Sequence, residues 1–224
     1  LDGRLPGGEL LQFRLEPIEN NRRLLTMTSN DAGSVARVFD LYDNGIGGRL
    51  DFKAEIDDNQ PDRPMTGLIE ITDYRITEAP ALAQILSYGT FFGLLDLLQG
   101  EGISFSTLEL PFTFVEDKLI IGDAHTSGTS IGINVSGVAD FGADRADLKG
   151  TIVPAYIINS LLGNIPIVGD ILVGGEGEGI IATSFKVTGS LDDPDISVNP
   201  ASMLTPGFLR HLFDIFETGE GEEE

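Results

Sequence analysis

The chain has 224 residues and no cysteine, and its formal net charge is −22. The length suffices for one large domain with a sizeable core, and the lack of cysteine excludes disulfides, thiolate nucleophiles and cysteine-based zinc sites. The acidic balance argues against nucleic acid as a partner, since that needs clustered Lys and Arg, and any lipid contact must use apolar surface rather than a basic patch.

The first half of the chain predicts strands around one short helix. Alternating apolar residues predict a strand within residues 1–15, a polar turn over 16–23 and a strand over 24–28. Asp31 or Asn30 is a suitable N-cap for a helix, which the glycines at 45, 47 and 48 end. Residues 50–56 alternate as a half-buried strand does. The next strand, 67–76, changes its apolar phase between Ile71 and Tyr74, which predicts a bulge.

The second half predicts a long helical region followed by a meander. Residues 78–98 carry the longest helical pattern, which Gly89 and Gly93 bend or break. Strands follow from residue 102 to 153, then a short apolar helix over 155–162, a glycine-rich turn over 174–179, and strands over 180–187 and 196–198. Asn199-Pro200 begins a terminal amphipathic helix.

Together these elements predict a β-rich α+β fold. We expect a curved antiparallel sheet, groove-like or a partly open barrel, with three or four helices, some of which cap one end. Because no linker-like break interrupts the pattern, we predict a single domain over residues 1–218. Residues 219–224 are acidic and predict a disordered tail.

Groups that could support catalysis or metal binding are few. His125 lies near Ser127 and Asp123 in the sequence, but a catalytic triad is defined by geometry rather than by sequence proximity. The acidic clusters within 57–62 and 192–195 offer oxygen ligands of the kind calcium prefers, yet neither matches an EF-hand loop, and turn propensity explains both. We therefore predict no enzymatic activity, no metal site and no cofactor.

Residues 152–173 form a nearly apolar segment, which prolines, asparagines and an aspartate interrupt too often for a membrane-spanning helix. Two interpretations remain. The segment is either a buried plug that closes the end of the sheet, which we favour, or a surface that touches a membrane or a partner. Together with the terminal helix it supplies the candidates for membrane or partner contact: Ile157, Ile158, Ile167, Val168, Phe208, Leu212 and Phe216.

Several short motifs, each present once, follow one another in a characteristic order over almost the whole chain. They are Asp31-Ala32-Gly33, Gly47-Gly48-Arg49-Leu50, Ala79-Pro80-Ala81-Leu82-Ala83, Gly102-Ile103-Ser104-Phe105, the run over 150–159, Ile165-Pro166-Ile167-Val168-Gly169, and the segment from Val198-Asn199-Pro200 to Phe208-Leu209-Arg210. In this order they resemble the C-terminal region of AsmA-like proteins, the family that includes the TamB-type and YhdP-type bacterial envelope proteins.

The resemblance implies the periplasmic part of a Gram-negative inner-membrane protein, anchored through a segment outside this chain. It also implies a long bent β-sheet whose apolar inner face carries phospholipid acyl chains between membranes and so supports outer-membrane assembly. The chain opens inside a patterned segment and does not begin with Met, so we expect it to be a piece of a longer protein.

A lipid-carrying groove would be lined by the apolar residues of the alternating strands. The candidates are Leu50, Phe52, Ile56, Leu108, Leu110, Phe112, Phe114, Leu119, Ile121, Ile131, Ile133 and Val135. The ordinary alternative for all of them is a filled core. A second hypothesis is a structural end cap that docks a membrane surface or an envelope protein without carrying lipid. A third, a hydrolase or a calcium-dependent carbohydrate binder, has the least support.

Overall fold

The computed structural model describes residues 2–155, except 6, 8 and 90, and residues 183–199. Within these residues eleven strands form one antiparallel sheet, and their order across the sheet equals their order along the chain. The strands are β1 (Asp2–Arg4), β2 (Leu10–Ile18), β3 (Arg22–Ser29), β4 (Gly45–Asp57), β5 (Met65–Ile76), β6 (Ile103–Val115), β7 (Lys118–Ser127), β8 (Ile131–Asp140), β9 (Arg145–Pro154), β10 (Thr183–Gly189) and β11 (Pro194–Asn199).

Three helices accompany the sheet in the described part of the chain: α1 (Ala32–Val38), α2 (Pro80–Tyr88) and α3 (Phe92–Gln99). The sheet stays open, with β1 and β11 at its described edges, and does not close into a barrel. A β-rich antiparallel sheet with a few helices confirms the predicted fold class. The predicted break in the long helical region is also confirmed, because Gly89 is the C-cap of α2.

Helix α1 begins where the sequence predicts, at an Asp31 cap. The Asp31 carboxylate accepts hydrogen bonds from the backbone N–H of Ser34 at 2.9 Å and from the Ser34 hydroxyl at 2.6 Å. Burial raises the pKa of Asp31, but these hydrogen bonds and the charge of Arg37 lower it further, so the net shift is downward. The cap is therefore ionised at neutral pH and satisfies a free N–H at the helix start.

The two faces of the sheet differ sharply in polarity. Directly paired residues of antiparallel strands project to the same side. One polar row crosses ten strands through Gln12, Thr28, Asp51, Glu70, Glu109, His125, Asn134, Thr151, Ser184 and Asn199. The adjacent row projects to the other side and is mostly apolar: Leu11, Ser29, Leu50, Ile71, Leu108, Thr126, Ile133, Ile152 and Thr183.

The main core lies where α2 and α3 cover the apolar face. Ile85, Leu86 and Leu98 of the helices are buried against strands β6, β8, β9 and β10, and α2 also contacts β11. In a flat sheet β5 and β11 would lie roughly 29 Å apart, which is six strand spacings. Helix α2 starts soon after β5 and contacts β11, but it is only about 14 Å long and could not bridge that distance. The sheet therefore bends so that its apolar face turns toward the helices.

The two ends of the sheet are built differently. Helices α1, α2 and α3 all lie in connections at one end, which we call the helix end. At the opposite end, the turn end, the strands are joined by short loops over residues 19–21, 58–64, 116–117, 141–144 and 190–193. The helices consequently cover the apolar face near one end only.

Several predicted boundaries are corrected. Strand β2 extends to Ile18 and β3 begins at Arg22, so the polar turn is shorter than predicted. Gly45 and the glycines after it lie in β4 rather than ending α1, which stops at Val38. The predictions of a helix over 155–162, a turn over 174–179 and a terminal helix, and the acidic tail, fall largely or wholly outside the described residues.

The change of apolar phase in β5 has a different cause from the predicted bulge. Asp73 has a left-handed backbone (φ 57°) and faces Gly48, which is also left-handed (φ 89°). The pairs on both sides of these two residues keep the same register, so the strand changes phase without an inserted residue. The register shifts lie instead at β7, around residues 122–123, on both of its sides.

Candidate functional site

All twelve predicted groove residues lie on the apolar face. Pairing joins Leu50 to Leu108 through Ile71, and Phe52 to Leu110 through Ile69. Ile56 is joined to Phe114 through Met65, and Phe114 pairs with Leu119. The remaining pairs continue the same face into β8: Phe112 with Ile121, Leu108 with Thr126, Thr126 with Ile133, and Ala124 with Val135. Ile131 precedes Ile133 by two residues and shares its side.

Five of the twelve pack under helices. Leu50 is buried and Phe52 half-buried in a cluster with Ala32 and Val35 of α1. Ile131 is fully buried, and Ile133 and Val135 pack against the same core as α2 and α3. The five helix-covered residues are therefore Leu50, Phe52, Ile131, Ile133 and Val135. At this end the hollow of the sheet is filled by the protein's own side chains, as in an ordinary core.

The other seven form what we call the open apolar stretch: Ile56, Leu108, Leu110, Phe112, Phe114, Leu119 and Ile121. Phe112 is buried, and its ring lies 5.5 Å from that of Phe52. The other six are partly exposed to solvent. At the turn end Phe114 approaches Phe141, itself 56% exposed, with 6.5 Å between ring centroids. Among the twelve predicted groove residues, these six partly exposed side chains are the ones that an external ligand could contact.

A bulge in β7 makes the stretch continuous. Ile121 pairs with Gly137 of β8, but Ala124, three residues later, pairs with Val135, only two residues earlier on β8. Two residues of β7, Gly122 and Asp123, therefore oppose one residue of β8, and both Ile121 and Ala124 project to the apolar side. In a regular strand without a bulge, Ile121 and Ala124, which are three residues apart, would project to opposite sides of the sheet.

Asp123, His125 and Ser127 are not assembled into a triad. Asp123 accepts a hydrogen bond from the Asn134 amide at 2.6 Å. His125 Nε2 lies 3.4 Å from Glu109, on the neighbouring strand. The Ser127 hydroxyl bonds to Thr107 at 3.0 Å. Each group contacts a different partner on β6 or β8, and this arrangement gives no activated nucleophile.

The acidic cluster at residues 57–62 is held by hydrogen bonds of its own loop and neighbours. The Gln60 amide lowers the pKa of Asp57, with help from Asn59. The Arg23 guanidinium contacts both oxygens of Asp58, at 2.6 and 2.7 Å, and lowers its pKa. In the described segments no group of three or more His, Asp or Glu side chains is placed to hold a metal ion.

Tyr74 is a partly buried polar residue that the strand pattern alone did not single out for the site. Its ring stacks on Phe105 with 5.1 Å between centroids, and its hydroxyl bonds to Thr126 at 2.5 Å. Burial raises the pKa of Tyr74 well above its ordinary value. The change of phase before Tyr74 was the available signal, because it turns this side chain into the helix-covered core.

Two open depressions lie on the polar face. One, of about 310 Å³, lies over β2–β5 and includes Gln12, Thr28, Arg49 and Glu70. The other, of about 600 Å³, lies over β8–β11 and is lined by side chains without an acidic group. A sequence could not reveal either one, because each joins residues from four strands.

No family model, curated protein or solved structure matches this chain. Among the residues that the structure describes, no helix is long and apolar enough to cross a membrane. The predicted contact residues Ile157, Ile158, Ile167, Val168, Phe208, Leu212 and Phe216 all lie outside the described residues.

Proposed function

We propose that this chain binds phospholipid acyl chains on its open apolar stretch. In this proposal it is the periplasmic part of an inner-membrane AsmA-like protein that supports outer-membrane assembly, and it is not an enzyme. One observation carries the proposal: seven residues predicted to line a groove share one continuous face, and six of them are partly exposed in a chain with a net charge of −22. The order of the AsmA-like motifs supports the family.

The physical basis is removal of hydrocarbon from water. Each methylene that leaves water contributes about 0.8 kcal/mol, so ten methylenes contribute about 8 kcal/mol before entropic costs. Contiguous apolar surface on a strongly charged protein marks an interaction site rather than a random exposure. The bend of the sheet places the apolar face inward, so an acyl chain can contact several strands at once.

A pair of neighbouring substitutions tests the proposal. Leu119 is half-buried on the open apolar stretch, whereas Ile120, 41% exposed, projects to the polar face. Leu119→Glu places a charge where a methylene chain would lie, and we expect it to reduce co-purified phospholipid at least tenfold. Ile120→Glu makes the same charge change on the same strand and should keep the wild-type lipid content. Lipid extraction and mass spectrometry after gentle purification measure both.

Circular dichroism and thermal unfolding should show that both variants retain the fold. Equal lipid content in wild type, Leu119→Glu and Ile120→Glu would place the lipid elsewhere. Wild-type protein that carries no phospholipid, and takes none up from vesicles, would exclude lipid binding on this face.

A second candidate function, docking of the helix end to a membrane surface, has its own supporting observation. Large apolar side chains are exposed there, including Phe39 at 51%, Leu41 at 76% and Phe92 at 60%. Exposed aromatic and aliphatic groups of this kind insert into the interface of a bilayer. This candidate needs no lipid on the sheet itself.

We expect the double variant Phe39→Glu/Phe92→Glu to lose at least tenfold in binding to phosphatidylcholine vesicles, measured by co-sedimentation. Phe141→Glu, which alters an equally exposed aromatic residue at the turn end, is the matched control and should bind as wild type does. If wild-type protein stays in the supernatant, or if the double variant sediments equally, docking through the helix end is wrong.

A further inference from the structure

The polar face of β8–β11 carries an ordered grid of eight side chains. Its first row, across the four strands, is Ser136, Lys149, Lys186 and Ser197, and its second row is Asn134, Thr151, Ser184 and Asn199. The rows are two residues apart, about 6.7 Å along each strand. All eight side chains line the depression of about 600 Å³, a volume within the range of small-molecule sites.

Two lysines face each other at the centre of this grid. Lys149 and Lys186 are direct partners in the β9–β10 pair, so their Cβ atoms lie about 5 Å apart. Like charges at this position repel each other. Among the described residues neither ammonium group lies within 4.0 Å of a carboxylate, although the chain as a whole is strongly acidic. Within the described segments the pair therefore has no carboxylate as a direct counter-charge.

The acidic groups near the grid lie outside it. Asp147 shares the face of Lys149, two residues away on β9, and Asp195 lies two residues before Ser197 on β11. The Asp123 carboxylate accepts a hydrogen bond of 2.6 Å from the Asn134 side-chain amide nitrogen. The amide oxygen of Asn134 takes no part in that bond. None of the three lines the depression. They surround a small cationic centre with negative potential, which favours a compact anion over an extended acidic polymer.

We propose that Lys149 and Lys186 bind a phosphate group in this depression. A phosphate presents several oxygens to two ammonium groups at once, and the bridging anion replaces the repulsion between the lysines with attraction. Ser136 pairs with Lys149 and Ser197 pairs with Lys186, so their hydroxyl groups flank the lysines and can donate further hydrogen bonds. The phosphate belongs either to a free phosphate ester or to a lipid headgroup.

This site is independent of acyl-chain binding, because it lies on the opposite face of the sheet. The open apolar stretch and the lysine pair project to different sides, as the adjacent polar and apolar rows require. Leu119→Glu should therefore leave phosphate binding unchanged, and the lysine variants should leave co-purified lipid tails on the apolar face unchanged. Failure of one proposal does not imply failure of the other.

The test is a titration with sodium phosphate at constant ionic strength, with sodium chloride as the balancing salt, followed by NMR of labelled protein. We expect saturable shifts of amides in β9 and β10 for wild type and for the charge-conserving variant Lys149→Arg/Lys186→Arg. The variant Lys149→Gln/Lys186→Gln should bind at least tenfold more weakly, since hydrogen bonds to charged groups are among the stronger ones. Lys53→Gln, which removes a lysine from β4 on the same polar face, should bind normally.

Vesicles distinguish the two sources of phosphate. Co-sedimentation with phosphatidylglycerol vesicles that exceeds phosphatidylcholine binding, and that is lost in Lys149→Gln/Lys186→Gln, identifies a lipid headgroup. Binding of glycerol phosphate without a preference for phosphatidylglycerol identifies a free ester. Absence of saturable shifts with phosphate and of any headgroup preference overturns the proposal, as does binding that the double Gln variant retains. Thermal unfolding should confirm that every variant is folded.

Discussion

Replacement of Gly33 by alanine is expected to lower the free energy of unfolding by about 2–3 kcal/mol, at the upper end of the cost of overpacking. Gly33 is the second residue of α1, and a methyl group there would lie 2.3 Å from the Gly45 carbonyl oxygen and 2.9 Å from the Ile46 nitrogen. These are backbone atoms of β4, which cannot rotate away as a side chain can. Helix α1 must therefore move off the sheet and uncover Leu50 and Val35.

Gly93→Ala is the matched control for this prediction. Gly93 is also the second residue of its helix, α3, and a methyl group there would meet no atom within 4 Å. Alanine favours a helix over glycine by up to about 1 kcal/mol at both positions, so the difference between the two variants isolates the collision with β4. Urea unfolding of both variants measures it. Equal stabilities of the two would show that α1 does not press on β4 as described.

Leu86→Ala is expected to cost about 2–5 kcal/mol, the range for a buried leucine. Leu86 of α2 has no exposed surface and lies in the core with Leu98 of α3 and strands from both halves of the sheet. Because α2 joins β5 to β6 while contacting β11, a cavity at this position weakens the bend of the sheet as well as the local packing. A loss of about 3 kcal/mol corresponds to roughly 6–12 °C in Tm for a chain of this size.

Tyr88→Ala, two residues further along the same helix, provides the comparison. Its side chain is 57% exposed, so its truncation should change the unfolding free energy by less than about 0.5 kcal/mol. Thermal unfolding of both variants measures the contrast. A small effect of Leu86→Ala would mean that the core can collapse around the missing atoms, and the helices would then not hold the curvature of the sheet.

Local patterns were sufficient for most of the fold. The alternation around Phe52 predicted β4 because one side of that strand is buried and the other is charged. Local patterns were not sufficient where contacts with a neighbouring strand decide whether a polar residue lies in a strand or in a turn. Arg22 and Arg23 were placed in a polar turn, but they lie in β3, where they form ion pairs with Glu55 and Asp58 from the next strand and its loop. Such partners are 33 and 35 residues away in the chain.

The candidate site shows the same contrast between what local alternation predicts and what depends on packing and strand register. Alternation correctly grouped the twelve apolar residues on one face, because a strand has a period of two. It could not show which of them the helices cover, since Ile131 and Ile121 have the same pattern but different burial. Nor could it bring Lys149 beside Lys186, because that neighbourhood depends on the register of β9 against β10.

The order of the strands has a mechanical consequence. Because each strand pairs only with its neighbours in sequence, a force that separates β1 from β11 loads the inter-strand hydrogen bonds a few at a time. Strands should then peel from the edges in succession, while the segment held by α2 and α3 yields last. Tension between the edges is therefore expected to give a series of small steps in a single-molecule pulling trace, rather than one abrupt rupture.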